Sequence, residues 1–294
     1  MNINEFTHYA ENILKTANIE TPAQEAGVML CQVLKCGRAY LFANGDRELS
    51  SDEKAMLDHM LSKRKAYIPL QYIVGDTEFM SLRFMVTPAV LIPRQDTEIL
   101  VEKVIELAQK LVFERQNENN NVRLKVMDMC TGSGCIAVSV AHFCPECSIY
   151  ACDISEEAIK VAKANSEVNG VQNRVEFFCG DLFDALEDSQ KFDIIVSNPP
   201  YIETDTIAGL QKEVCNYEPG IALDGGADGL DFYRKITAKA PDFLNTLGWL
   251  AFEIGYNQGE KVSALMEESF SHVQVIKDYG GNDRVVIGQR KTNR

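Results

Sequence analysis

The chain of 294 residues is 46% hydrophobic and 24% charged, the balance of a water-soluble globular protein with room for one large or two ordinary domains. Its net charge of −14 disfavours a phosphate backbone as partner, and no apolar run reaches bilayer-spanning length, so neither nucleic acid nor a membrane is expected. Nine cysteines, several of them inside apolar runs (Cys130, Cys135, Cys152, Cys179), fit reduced thiols better than a disulfide framework, and no basic stretch precedes an apolar core at the start. A cytoplasmic monomer is expected. Residues 1–75 hold 8 Lys and Arg against 9 Asp and Glu, so almost all of the acidity lies in the remainder.

Residues 1–68 read as a helical domain. Ile3, Phe6, Ala10, Ile13, Leu14 and Ala17 recur at three- and four-residue spacing and give one apolar face. A second helix starts with Thr21 as N-cap, Pro22 at the first helical position and Gln24 at the capping-box position, and runs to Cys36 with Gly37 just beyond its end. A third starts near Ser51, carries Met56, Leu57, Met60 and Leu61, and ends before Pro69. Its Lys63-Arg64-Lys65 end complements the helix dipole.

Residues 69–93 read as a β-hairpin linker, with short strands at Tyr72–Asp76 and Phe79–Val86. The third segment, 94–294, opens at Asp96-Thr97-Glu98 with a helix that Thr97 or Asp96 can cap and that reaches about Phe113, and the polar stretch from Glu114 to Asn121 reads as a surface loop. Strands are then predicted at 123–128, 148–153, 174–178, 192–197, 247–253, 272–277 and 284–289, with helices at 134–143, 155–169, 229–244 and 257–270. This alternation predicts an α/β fold with a doubly wound, Rossmann-like sheet of seven strands. The last two strands are too close for a crossover helix, so the final strand should pair antiparallel.

Three strand ends carry the chemistry. Cys130-Thr131-Gly132-Ser133-Gly134-Cys135 joins the first of these strands to a helix, and its glycines allow a tight turn and a close approach to a ligand. Asp153, at the end of the next strand, can accept from both hydroxyls of a ribose. Asp181 could accept from an adenine amine, and Leu182 could pack on its face. The three together point to a ribose-adenine cofactor, although the glycines alone could simply make a tight turn. Gly132-x-Gly134-x-x-Ala137 also keeps NAD open. S-adenosylmethionine fits better, because no His or Lys acid/base follows the strand that ends at Asn198.

After Phe192–Ser197 comes Asn198-Pro199-Pro200-Tyr201. Two prolines cannot continue a sheet ladder, so the backbone leaves stiffly and offers acceptors at the strand's carboxyl end. Cys144 and Cys147 have C-x-x-C spacing but no second ligand pair, so no metal is expected.

Together, Asp128-x-x-Thr131-Gly132-Ser133-Gly134, Asp153-Ile154-Ser155, Gly180-Asp181-Leu182-Phe183 and Asn198-Pro199-Pro200-Tyr201 resemble the class I S-adenosylmethionine-dependent methyltransferases. Leu91 to Glu98, Glu218 to Leu230 and Tyr279 to Arg284 are similar to one branch, the peptide chain release factor N5-glutamine methyltransferases (PrmC/HemK type). The resemblance covers nearly the whole chain. It departs at Leu182, where some members have Trp, and at Cys130, where Gly is frequent.

The resemblance implies the glutamine of the Gly-Gly-Gln motif of class 1 release factors as substrate, with the helical domain as its grip and S-adenosylhomocysteine as product. It implies that Cys130 to Gly134, Asp153, Asp181, Leu182 and Asn198 hold the cofactor. Asn198 and Pro199 would fix the two N–H bonds of the amide, Tyr201 would pack on its plane, and Pro200, Leu91 and Arg94 would complete the substrate wall. An adenine in DNA carries a similar NH2 group, so DNA adenine methylation is the principal alternative, and a non-catalytic cofactor-binding protein a more distant one.

Overall fold

The computed structural model describes residues 1–117 and 123–292 and divides the chain into two compact units. One consists of Met1–Gly75 with Gln211–Tyr217, the other of Asp76–Leu210 with Glu218–Arg294.

The first unit is helical: α1 (Ile3–Thr16), α2 (Pro22–Leu34), α3 (Arg38–Ala43), α4 (Ser51–Lys65) and α5 (Leu70–Val74), joined by the late segment α9 (Lys212–Tyr217). Capping boxes start α1 at Asn2 with Glu5 and α4 at Ser50 with Glu53, so orphan N–H groups are paired at both starts. Phe6, Ala10, Leu14, Met29, Leu30, Leu57 and Leu61 are buried together as its core. Three local expectations are corrected. Thr21 makes no side-chain cap bond. The second helix ends at Leu34 with Lys35 in the left-handed region at φ 51°, and Gly37 instead precedes a helix that sequence periodicity missed, α3. The strand-forming run Tyr72-Ile73-Val74 is helical, because Pro69 starts a single turn and Gly75, at φ 90°, ends it.

The second unit begins with a hairpin, β1 (Asp76–Phe79) and β2 (Leu82–Met85), and then α6 (Thr97–Asn117). This helix takes in Glu114 to Asn117, where a loop was expected; the rest of that expected loop, 118–121, lies outside the described residues. There follow β3 (Leu124–Met129), α7 (Cys135–Phe143), β4 (Cys147–Asp153), α8 (Glu156–Val168), β5 (Val175–Cys179) and β6 (Phe192–Ser197). The chain ends with α10 (Asp231–Phe243), β7 (Leu244–Glu253), α11 (Gly259–Met266), β8 (Phe270–Lys277) and β9 (Asp283–Arg290).

Seven strands form one sheet in the order β5-β4-β3-β6-β7-β9-β8. The pairs from β5 to β7 are parallel, and β9 lies antiparallel to both β7 and β8. Helices cover both faces, so β3 and β6 are buried almost throughout and are mostly apolar, with Lys125 the one exposed residue of the two strands. Separate cores flank the sheet. Val101, Val104, Val138 and Ala141 of α6 and α7 pack on one side, and Tyr233, Ile236, Val262 and Met266 of α10 and α11 on the other. Among the described residues no helix is long and apolar enough to cross a membrane.

Candidate active site

The order of strands places the site. The chain runs outward from β3 through β4 to β5, then returns to β6 on the other side of β3. Connections leave the carboxyl ends of β3 and β6 in opposite directions, which opens a crevice at that switch point. Met129 and Ser197 are partners in register, so the glycine loop and Asn198 start side by side. Ser197 Oγ donates to the Met129 carbonyl at 2.7 Å and ties the two strand ends together.

Two carboxylates shape the loop. Asp128 accepts from Thr131 Oγ1 at 2.6 Å and from the Ala137 N–H at 3.2 Å, so it bridges the loop to the start of α7. Full burial pushes its carboxyl up to about 7, against the pull of those two hydrogen bonds. Asp153 accepts from the Gly132 N–H and the Ser155 N–H, both at 2.9 Å. Each of its oxygens has taken one bond and keeps lone-pair capacity for another. Gly132 is at φ +54° with open space where a Cβ would be, and a Cβ on Gly134, at φ +79°, would stand 3.0 Å from Ala162. The first glycine thus leaves room for a ligand, and the second allows α8 to approach closely. Fully buried Asn165 donates to the Ser133 carbonyl at 2.8 Å and to the Met85 carbonyl at 3.0 Å, fixing the loop to β2.

Two side chains in this region stand where glycine is favoured. Cys130 has φ 60° and Leu182 φ 49°. Left-handed backbone costs an L residue about 1–2 kcal/mol, and such strain gathers at ligand sites. Burial raises the Cys130 thiol well above its ordinary range, which makes it a poor nucleophile.

The Asn-Pro-Pro-Tyr segment is held from behind. The Gly225 N–H donates to the Ile202 carbonyl at 2.8 Å, and the Ile202 N–H donates to Leu223 at 3.0 Å. A Cβ on Gly225 would lie 2.7 Å from Tyr201 Cα, and one on Gly229 2.4 Å from the Tyr201 carbonyl oxygen. Gly225 and Gly229 therefore allow close backbone packing on this segment. Gln258 Nε2 donates to the same Tyr201 carbonyl at 3.0 Å. Arg94 Nη2 reaches both oxygens of buried Glu218, at 2.6 and 2.8 Å. This pair ties the chain before α6 to the start of the glycine-bearing stretch.

A cavity of about 290 Å³ occupies the switch point. Leu91, Arg94, Cys130, Thr131, Gly132, Ser133, Asp153, Asp181, Leu182, Asn198 and Pro200 line it, all singled out by sequence. Gly134, Pro199 and Tyr201 do not. Gly134 caps α7, Pro199 is buried beside the lining, and the Tyr201 hydroxyl turns toward Glu253, 3.4 Å from Oε1. Sequence reasoning missed Phe232 and Lys235, adjacent on one face of α10, and assigned Thr97 only to helix capping. Helical spacing puts 232 and 235 together, but nothing in it says which face meets a ligand. Among the described residues no cluster of three His, Cys, Asp or Glu could hold a metal.

Comparison with known proteins gives a consistent pattern. Residues 5–75 match the PrmC N-terminal domain, and residues 95–215 the methyltransferase small domain. The release factor glutamine methyltransferase of Clostridium acetobutylicum is 41% identical over 283 residues, 96% of each chain. That of Geobacter sulfurreducens is 41% identical, covering 96% of this chain and 94% of its own. A methyltransferase structure from Pyrococcus furiosus, 19% identical, superposes with a TM-score of 0.51 over 83% of this chain and all of that one, a likeness of fold.

Proposed function

The chain belongs to the release factor glutamine methyltransferases, and from that membership we propose the reaction of this site: transfer of a methyl group from S-adenosylmethionine to the side-chain amide nitrogen (N5) of the Gly-Gly-Gln glutamine of class 1 peptide chain release factors. The observation that carries the proposal is an amide side chain, Asn198, lining the same cavity as the glycine loop and Asp153 at the sheet's switch point.

The residues fit the cofactor. The spare capacity of the Asp153 carboxylate suits a ribose diol, the open space at Gly132 suits close approach of the ligand, and Asp181 and Leu182 suit an adenine edge and face. When bound, S-adenosylmethionine supplies a methyl carbon on a sulfonium, which needs no acid or base to release its leaving group. Asp153→Ala should therefore weaken S-adenosylmethionine binding by about 3 kcal/mol, roughly 100-fold in Kd by calorimetry, since two hydrogen bonds to a charged group are lost.

An amide nitrogen is a poor nucleophile, because its lone pair is delocalised into the carbonyl. Asn198 Oδ1 and the Pro199 carbonyl are acceptors only, so together they can hold both N–H bonds and direct the nitrogen lone pair at the methyl carbon. Positive charge then develops on nitrogen against two acceptor dipoles. The same pair rejects a carboxylate substrate, which would leave both acceptors unpaired. Leu91 and Pro200 give the amide apolar walls, and Tyr201 backs the segment. Residues 1–68 serve as the substrate-recognition domain.

Labelled S-adenosylmethionine, offered with a purified class 1 release factor, its Gln→Ala variant and duplex DNA, tests the proposal. Label is expected on the unmodified factor alone. Label on DNA, or none on the factor, overturns it.

A further inference from the structure

Gln258 is 6% exposed and stands at the N-cap of α11, where its own N–H donates to the Gly255 carbonyl and its carbonyl accepts from the Val262 N–H, both at 2.9 Å. Its side-chain amide ties together segments that are distant in sequence. Nε2 donates to the Tyr201 carbonyl at 3.0 Å and to the Gly229 carbonyl at 3.2 Å. Oε1 accepts from the Gly255 N–H at 2.9 Å. The Tyr233 hydroxyl, which donates to the Glu253 carbonyl at 2.8 Å, stands 3.4 Å from the same oxygen. Main-chain carbonyls only accept and an N–H only donates, so the amide fits one way round. Glycines box it in: a Cβ on Gly229 would lie 2.8 Å from Nε2, and one on Gly255 3.0 Å from Oε1.

The prolines make such a clamp necessary. Pro199 and Pro200 have no N–H, so neither can anchor the segment by donating. The backbone between Asn198 and Tyr201 is therefore set from its two ends. Ser197 fixes the upstream end, through its pairing with Met129 and its Oγ bond to that residue's carbonyl. Beyond the prolines, among the described residues, the Tyr201 carbonyl is the first main-chain group with a hydrogen bond, and Gln258 supplies it.

We infer that Gln258 is a positioning residue for methyl transfer: by clamping the Tyr201 carbonyl it sets the direction of the Pro199 carbonyl. It lies outside the cavity lining and acts through the main chain. The inference rests on the reading of the Pro199 carbonyl as an acceptor for the substrate amide.

Gln258→Glu keeps the length and an oxygen for the Gly255 N–H but has no N–H for Tyr201 and Gly229, and Gln258→Met keeps only the length. In the full-length enzyme, saturated with cofactor, each should lower the single-turnover rate at least about tenfold, since small misplacement of a positioned group costs up to about 10²-fold. Calorimetric affinity for S-adenosylhomocysteine should stay within about twofold, the split expected of an interaction that counts only in the transition state. Independently of activity, NMR reads the carbonyl itself. Pro199-Pro200 is the only Pro-Pro pair in the chain, so with 13C- and 15N-labelled proline the Pro199 carbonyl gives the one proline carbonyl signal coupled to a proline nitrogen. That signal should shift in both variants and keep its place in Lys261→Ala, on the exposed face of the same helix.

The inference fails if either variant keeps its rate within about twofold of an active wild type, or if the Pro199 signal stays in place in either. It also fails if affinity for S-adenosylhomocysteine falls in step with the rate, because Gln258 then supports the fold of the whole site. A wild type that methylates no release factor sinks the earlier proposal instead, and the Pro199 signal still decides whether Gln258 sets that carbonyl.

Discussion

Asn198→Ala is expected to lower the single-turnover rate of methyl transfer by roughly 10²–10³-fold, the usual cost of removing one preorganised dipole from a transition state. The loss should fall on the chemical step. Asn198 sits where β6 ends, and Ala fits the same backbone, while the supports of that backbone do not pass through its side chain. The Gly225–Ile202 bond at 2.8 Å and the Gln258–Tyr201 bond at 3.0 Å remain. The cofactor contacts proposed for Asp153 and the glycine loop also remain, so S-adenosylmethionine affinity should change by only a few fold. The Pro199 carbonyl would still accept one N–H, which leaves a residual rate. A variant that retains near-normal turnover would remove the acceptor mechanism altogether.

The second large effect is on stability. Arg64, 3% exposed, reaches Glu25 through Nε at 2.6 Å and Nη2 at 3.1 Å, and Glu213 through Nη2 at 2.9 Å. It thereby joins α2, α4 and α9 within the helical unit. Arg64→Ala leaves Glu25 buried without its cation, and breaking a buried pair in this way costs about 3–5 kcal/mol. Amide exchange in α2 and α4 should accelerate accordingly, read by mass spectrometry. Exchange unchanged in both helices would show that the pair is as weak as a surface one.

The strands of the sheet were legible in the sequence because parallel strands buried on both faces are mostly apolar runs between turn residues. Phe192–Ser197 is such a run. The glycine loop, Asp153 and Asn198 were legible because ligands gather where strands end. Other features depend on neighbours distant in sequence. Tyr72–Val74 has strand-forming side chains, yet Pro69 and Gly75 bound it as one helical turn. Lys63-Arg64-Lys65 read as three dipole-complementing cations, but the middle one is buried against carboxylates from positions 25 and 213. The left-handed backbone of Cys130 and Leu182 cannot be told from residue type. Nor could Thr97 be seen as more than a cap, since its partner Asn198 lies about a hundred positions away, just past the end of β6.

The helical unit includes Gln211–Tyr217, a segment that follows Asn-Pro-Pro-Tyr in the chain. Within it Glu213 meets Arg64, the Tyr217 hydroxyl donates to the Ala66 carbonyl at 2.6 Å, and the Lys212 ammonium lies 4.5 Å from the Tyr67 ring centroid. Order of synthesis then differs from order of completion. A ribosome adding about 5–20 residues per second makes residues 1–75 on the order of ten seconds before the segment that finishes their unit. In that interval Arg64 has one carboxylate instead of two, and Tyr67 lacks its covering cation. The first part of the protein to be made is therefore among the last to reach full stability, and it does so only once the strand carrying the acceptor motif has been synthesised.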